Sequence, residues 1–382
     1  MSDTENILRG VLDNLLVNHG YKLNYVTIKS KPTHGASFSS KLFSINVKSS
    51  EGDLKLFAKV GVVRGKCSEW MFSTERFAFN ELAKIYSDLQ VKYEISEEDR
   101  LKFPKFYGSS RMGGKETIIL EDLVASGYET FDRFKCFDWE QASNIALYLA
   151  KFHALSFAFA KDYPKEFEKV LNMKYEIWSR VNEEDAKAYW AKTLAGSLAV
   201  IKNEQRGRVA KFYESLPKPQ TYTKPIGTPV LSHGDFRLSN LLYKKTNEKV
   251  QAIAVDFQTV YAGCPATDLV YLIFLGSDEE FRAEYYEKLL DHYYNSLSKM
   301  MEWLSIDSTE VYPREEFDRD MKENLPYAML IGATILPTVV VEEDAAPDLG
   351  NFDYNQFVMS PNEIFAKRFR GIVSDCIRWN VI

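Results

Sequence analysis

No run in this chain is long and apolar enough to span a bilayer. The longest candidate, Ala328 to Val341, is interrupted by Gly332, Thr334, Pro337 and Thr338. Cysteine is scarce: Cys67, Cys136, Cys264 and Cys376 lie far apart and form no Cys-x-x-Cys pair. That spacing speaks against a disulfide framework and a structural zinc site, and it suits a reducing compartment. Positive charge is not in excess either. With 48 Lys and Arg against 54 Asp and Glu, the net charge is −6, which argues against binding nucleic acid by phosphate neutralisation. The opening residues, Met1 to Asn6, lack the basic start and apolar run of a secretory leader. The expectation is a cytoplasmic protein that binds neither membrane nor nucleic acid and needs no obligatory protein partner.

Aromatic residues, by contrast, are abundant: 25 Phe, 22 Tyr and 6 Trp in 382 residues. A chain of this length exceeds one ordinary core and predicts two or three folding units. Its first third reads as strand-rich. Phe43, Ile45 and Val47 alternate with polar residues, Ser49 to Asp53 form a turn, and the alternation resumes at Leu54, Leu56 and Ala58. A helix is expected over about Ser73 to Tyr86. Beyond it, strands near Lys105 to Ser109 and Glu116 to Leu120 are joined by a Gly113-Gly114 turn. After Leu123 the pattern turns helical. Asp138 is placed to cap a helix with Ala142, Ile145, Leu149 and Phe152 on one face. Residues 160 to 215 and those beyond Tyr271 also read as helical, with interruptions near Ser305 to Pro313 and Glu342 to Asn355.

The chemistry concentrates in Leu231-Ser232-His233-Gly234-Asp235-Phe236-Arg237-Leu238-Ser239-Asn240, followed by Val255-Asp256-Phe257-Gln258. Transfer of a phosphoryl group from a nucleotide needs a carboxylate to orient the attacking hydroxyl, together with oxygen ligands that hold Mg²⁺ on the phosphates. Asp235 suits the first task, Asn240 and Asp256 the second. Two short strands, Leu241 to Tyr243 and Val250 to Val255, would bring Asn240 and Asp256 to one end of a hairpin. Asp235-x4-Asn240 alone would read as a loop of Asx turns; the preceding His233-Gly234, the apolar strand that follows and the buried-looking Val255-Asp256-Phe257 make it a catalytic loop. His233 has two readings, a catalytic acid–base group or a side chain that holds the loop. Asp268 starts an apolar helix and suits a structural role that also braces the catalytic loop.

Three further groups complete the reading. Glu75 lies i−4, i−7 and i−11 from Phe79, Leu82 and Tyr86, so it falls on the apolar face of its helix and needs a partner. Lys59, at the end of a strand, can be that partner while also reaching nucleotide phosphates. Just before the strand at Phe43, Gly35, Ala36 and Ser37 occupy a loop whose backbone amides could cover phosphates. That loop matches neither Gly-rich consensus, so position and not composition makes its case. Ile118 to Leu123 reads as the connection to the helical part, with the Glu121 carbonyl and Leu123 amide assigned to adenine.

Taken together these segments resemble the ecdysteroid kinase-like (CHK kinase-like) family, related to choline kinases and aminoglycoside phosphotransferases. The likeness rests on His233-Gly234-Asp235 with Asn240, on Val255 to Gln258, on Cys264-Pro265-Ala266-Thr267-Asp268-Leu269-Val270-Tyr271, on Ile119 to Leu123 and on Leu149-Ala150-Lys151-Phe152-His153-Ala154. It implies an α+β, bilobal, protein-kinase-like fold: a small antiparallel-sheet N-lobe (1–120) with one regulatory-type helix, a hinge (121–127) and a large, mainly helical C-lobe (128–382). ATP and Mg²⁺ are the implied cofactors. The implied acceptor is a small-molecule alcohol, such as an ecdysteroid or another secondary alcohol. Gln258, where protein kinases carry Gly, fits the small-molecule branch. Where many members have Trp shortly after the catalytic Asp and Asn just before the metal-binding Asn, this chain has Arg237 and Ser239. Arg237 either touches phosphate or faces solvent. The rival readings are a choline, amino-alcohol or antibiotic-type kinase, and a pseudokinase that only carries a ligand.

Overall fold

Alternation in the first third produces an antiparallel sheet. The computed structural model describes residues 3–18, 25–31, 40–48, 52–62, 66–111, 115–172, 183–217, 221–225, 227–246, 249–342, 345 and 358–382. Within them β1 (Tyr25–Lys31), β2 (Ser40–Lys48), β3 (Leu54–Gly61), β4 (Phe106–Ser110) and β5 (Thr117–Glu121) form a five-stranded sheet in the order β1-β2-β3-β5-β4. The register places Phe43 opposite Ala58, Ile45 opposite Leu56 and Val47 opposite Leu54. These residues share one face, buried except at the half-buried Leu54.

That face is covered by an element the sequence reading did not assign, the helix Asp3–Asn18. Leu8, Leu12, Leu15 and Leu16, at helical spacing, pack against Phe43, Ile45, Val47, Leu56, Ala58 and Val60. Each fully buried Leu contributes about 1.5–3 kcal/mol. Gly108 on β4 lets Leu15 approach closely, because a Cβ there would lie 2.3 Å from Leu15 Cδ1 and push that side chain aside.

The opposite face meets a helix longer than Ser73 to Tyr86. It starts at Lys66, passes through a π-turn at Ala78–Leu82 and ends at Lys92. Such turns insert an extra residue and rotate the distal half of a helix. Here Ala78, Phe79, Leu82, Tyr86 and Leu89 all remain buried. β5 then leads through Asp122 and a turn closed by Gly127, which adopts φ +88°, to the short β6 (Glu129–Thr130). Ser44 Oγ donates to Asp122 Oδ2 at 3.0 Å and ties the turn back to the sheet.

The remainder is mainly helical. Asp138 caps Trp139–Asp162 in a reciprocal capping box with Gln141. That helix packs along Glu279–Trp303, and Arg314–Thr334 packs on the wholly buried Pro265–Gly276. Set among them are β7 (Val230–Ser232) paired with β10 (Tyr261–Gly263), and the hairpin of β8 (Leu241–Thr246) and β9 (Lys249–Ala254). Small sheet and helical body thus form the two-lobed α+β architecture. Among the described residues no helix is long and apolar enough to cross a membrane.

Candidate active site

The loop from His233 to Asn240 hangs between β7 and β8. Gly234 adopts φ +83°, and a Cβ there would fall 2.4 Å from Thr259 O. Only glycine fits that turn. Gly234→Ala is therefore expected to destabilise the fold by about 1–3 kcal/mol and to lose activity as the loop shifts. Thermal melting alongside a turnover assay checks this, and an unchanged melting temperature would contradict it.

Asp268, on the first turn of Pro265–Gly276, pins the loop from below. Its Oδ2 accepts from the His233 N–H at 2.7 Å and its Oδ1 from the Gly234 N–H at 3.0 Å. His153 Nε2 also donates to Oδ2 at 3.2 Å, while Tyr293 Oη donates to His153 Nδ1 at 2.6 Å. His153 and Tyr293 were not singled out for this task by sequence reasoning. His153 stood inside a quoted family motif, which was the available signal; Tyr293 offered none.

The ring of His233 is spent on backbone. Nε2 donates to Val255 O at 3.0 Å, and Nδ1 accepts the Asp235 N–H at 3.4 Å. Burial depresses its pKa below the ordinary value, against the opposing charges of Asp268, Asp235 and Asp256. A neutral imidazole with both nitrogens engaged holds the loop in shape.

Asp235 is fastened at both oxygens. Arg237 Nε donates to Oδ1 at 2.9 Å, and Asn240 Nδ2 donates to Oδ2 at 2.8 Å. Arg237 is only 8% exposed, so it lies against the carboxylate and not in solvent. Burial works against its charge, yet Asp235 holds its pKa above the ordinary value. The Asn240 amide also donates to Asp235 O at 2.9 Å. Both amide hydrogens therefore turn towards Asp235, leaving Asn240 Oδ1 as the atom offered elsewhere.

Asp256 is brought alongside by the hairpin. Leu241 pairs with Ala254, and the Val255 N–H donates to Asn240 O at 2.9 Å. Asp256 itself adopts a left-handed backbone, φ +65° and ψ +49°, a conformation Asp tolerates better than most residues. Phe257 is fully buried and its ring lies 5.5 Å from Phe79, 5.0 Å from Phe103 and 4.6 Å from His233. This packing anchors the Asp256 segment to the π-turn of the small-lobe helix.

Across the cleft Lys59 Nζ donates to Glu75 Oε2 at 2.9 Å. It also donates to Asp256 Oδ1 and, at 3.1 Å, to Gln258 Oε1. Lys59 and Glu75 are 6% and 2% exposed. Burial opposes the Lys59 charge, but Asp256 and Glu75 hold the ammonium above the ordinary lysine range. Burial raises the Glu75 carboxyl above the usual carboxylate range, with Lys59 opposing and Asp256 adding to the rise. The Lys59, Glu75, Asp235, Asn240 and Asp256 of the sequence reading are thus gathered in one cleft. Sequence reasoning took Gln258 only as a family marker, and its contacts to Lys59 and Asp256 went unforeseen.

The assigned adenine contacts lie where β5 ends. The Glu121 N–H donates to Lys105 O at 2.9 Å, and Leu123 N–H has no backbone partner among the described residues. Gly35, Ala36 and Ser37 lie outside the described residues. Asn240 Oδ1 and the Asp256 carboxylate are hard oxygen donors. Among the described residues no three or more His, Cys, Asp or Glu side chains form a metal cage. Two protein oxygens would suit Mg²⁺, which keeps several waters among its ligands.

A family model described as the ecdysteroid kinase-like family matches residues 34–306. An uncharacterized kinase-like protein of Caenorhabditis elegans is 26% identical over 216 residues, covering 56% of this chain and 54% of that protein. The match therefore spans about half the length of this curated relative. Similar solved structures include an aminoglycoside 2'-phosphotransferase in complex with GDP (12% identity, 85% of this chain and 100% of that one, TM-score 0.40). Another is an aminoglycoside phosphotransferase of Streptomyces rimosus holding ADP and streptomycin (13% identity, 80% and 98%, TM-score 0.36).

Proposed function

Because the chain belongs to the ecdysteroid kinase-like family, we propose that it transfers the γ-phosphoryl group of ATP to a hydroxyl of a small, lipophilic molecule, an ecdysteroid or another secondary alcohol. The observation that carries this reading is the convergence of Lys59 and Glu75 from the small lobe on Asp256, beside Asp235 and Asn240. In this reading residues 1–120 form the nucleotide-covering lobe, 121–127 the hinge and 128–382 the lobe that receives the acceptor. The amides of Gly35, Ala36 and Ser37 cover the phosphates, and Glu121 O with Leu123 N–H receives the adenine edge.

Asn240 Oδ1 and the Asp256 carboxylate would hold Mg²⁺, which supplies charge neutralisation on the phosphates when bound. Lys59 directs its ammonium to the phosphates from the other side, oriented by Glu75. Asp235 accepts a hydrogen bond from the acceptor hydroxyl, aligns it for in-line attack and takes up its proton as the new P–O bond forms and the β–γ bridge breaks. Arg237 and Asn240 keep that carboxylate from turning away. The product carries a dianion where the acceptor carried a neutral hydroxyl, which would retain a lipophilic compound in the cytoplasm.

Incubation with ATP, Mg²⁺ and ecdysone, choline or an aminoglycoside in parallel, read by mass spectrometry, tests the proposal. A phosphorylated steroid is the expected product. Phosphorylated choline or aminoglycoside alone would reassign the acceptor. Mg·ATP binding without any phosphorylated product, in these reactions or in a metabolite extract, would reduce the protein to a ligand carrier.

A further inference from the structure

Lys59 has three N–H bonds to give, and in this structure each has an acceptor. Glu75 Oε2 takes one at 2.9 Å, Gln258 Oε1 another at 3.1 Å, and Asp256 Oδ1 the third. The amide of Gln258 turns its other end to the same carboxylate, Nε2 donating to Asp256 Oδ2 at 3.2 Å. Lysine, aspartate and glutamine therefore close a three-membered ring of hydrogen bonds. An arriving phosphate finds no spare donor on Lys59 until one of these bonds opens.

The three bonds do not yield equally. Releasing Glu75, 2% exposed, would strand a buried carboxylate without its counter-charge. Releasing Asp256 is compensated if a divalent cation takes the carboxylate at the same moment. Gln258 is neutral, and its two ends match what the exchange needs: an acceptor for Lys59 and a donor for the Asp256 oxygen facing away from it.

Resting on the phosphotransfer reading above, we infer that Gln258 is a positioning residue that couples metal entry to nucleotide entry. It steadies Asp256 through Nε2 as Lys59 lets go, so that the ammonium turns to phosphate only when the metal replaces it on Asp256. The site then binds ATP and Mg²⁺ as a coupled pair, and each raises the affinity for the other by the same factor.

Two variants, one apolar and one isosteric, separate the contributions of the amide. Gln258→Leu removes both hydrogen bonds and frees one Lys59 donor. Gln258→Glu keeps an acceptor for Lys59 but sets an oxygen against Asp256 Oδ2. Calorimetric titration with ATP, in EDTA and in Mg²⁺, gives the ratio of the two affinities for each protein. The expected result is a ratio about tenfold smaller in Gln258→Leu, with binding in EDTA equal to or tighter than that of the parent. Gln258→Glu should lose affinity mainly in Mg²⁺ and require about tenfold more metal for half-saturation. Ratios within twofold of the parent in both variants overturn the inference. So does an equal loss with and without Mg²⁺, the signature of a merely structural residue. A parent that binds no Mg·ATP overturns the phosphotransfer reading as well, whereas a binding parent with unchanged variants overturns this inference alone.

Discussion

Replacing Asp235 by Asn is expected to lower turnover about 10²–10⁴-fold while ATP binds as in the parent. The carboxylate stands outside the Lys59–Glu75–Asp256 cluster, so nucleotide contacts survive the change. In the proposed mechanism, what disappears is the proton acceptor and the charge that aligns the attacking hydroxyl. The surroundings sharpen this expectation, because both oxygens of Asp235 face donors, Arg237 Nε–H at one and Asn240 Nδ2–H at the other. An amide presents one oxygen and one NH₂ group, so in either orientation a donor faces a donor. The variant should therefore also lose about 1–3 kcal/mol of stability. Steady-state turnover, calorimetric ATP binding and thermal melting measured on one preparation separate the two effects. Turnover at the parent level would remove Asp235 from its assigned role.

Asp256→Ala is expected to be as severe by a different route. It removes a metal oxygen, and the loss should exceed the roughly 10–100-fold typical of an outer-shell partner. The clearest signal lies in binding. A parent at a hundred times its Kd of Mg·ATP gains about 2.7 kcal/mol, and in Asp256→Ala the Mg²⁺-dependent part of that gain should vanish. ATP in EDTA should still bind, because Asp256 no longer occupies a Lys59 donor. The left-handed backbone at this position costs an Ala residue about 1–2 kcal/mol, so the unliganded variant should melt somewhat earlier. Full Mg²⁺-dependent stabilisation retained in Asp256→Ala would place the metal on other residues.

Much of this site was legible in the sequence, for physical reasons. Glu75 was found because a carboxylate on an apolar helix face is expensive without a cation, and Lys59 meets it at 2.9 Å. Asn240 and Asp256 were read from the Asp-x4-Asn spacing and the Asp after an apolar run, and two short strands joined by a turn must bring their outer ends together. The β2–β3 hairpin followed from alternation and the Trp139 helix from its Asp138 cap, whereas the joining of both hairpins and β1 into one sheet did not.

What escaped depended on side chains meeting from distant segments. Gln258 lies 199 positions from Lys59, and no local pattern records that its two ends reach Lys59 and Asp256. Arg237 had an open choice between phosphate and solvent. A 3-10 turn at Leu238–Asn240 instead folds it back onto its near neighbour Asp235. The leucine stripe of the helix Asp3–Asn18 acquires meaning only against the outer face of the sheet. The helix over Glu75 was read too short at both ends, and the π-turn at Ala78–Leu82 falls inside it without a sequence mark.

The β8–β9 hairpin works like a pair of tweezers. Its jaws are Asn240 and Asp256, just outside the Leu241–Ala254 pair, while the Thr246–Lys249 pair closes the far end. The gap between the jaws depends on strand register at the near end and is indifferent to what joins the handles. Extra residues spliced into the tip would leave the spacing of Asn240 and Asp256 intact, whereas deleting a single residue from either strand would turn one jaw to the opposite face.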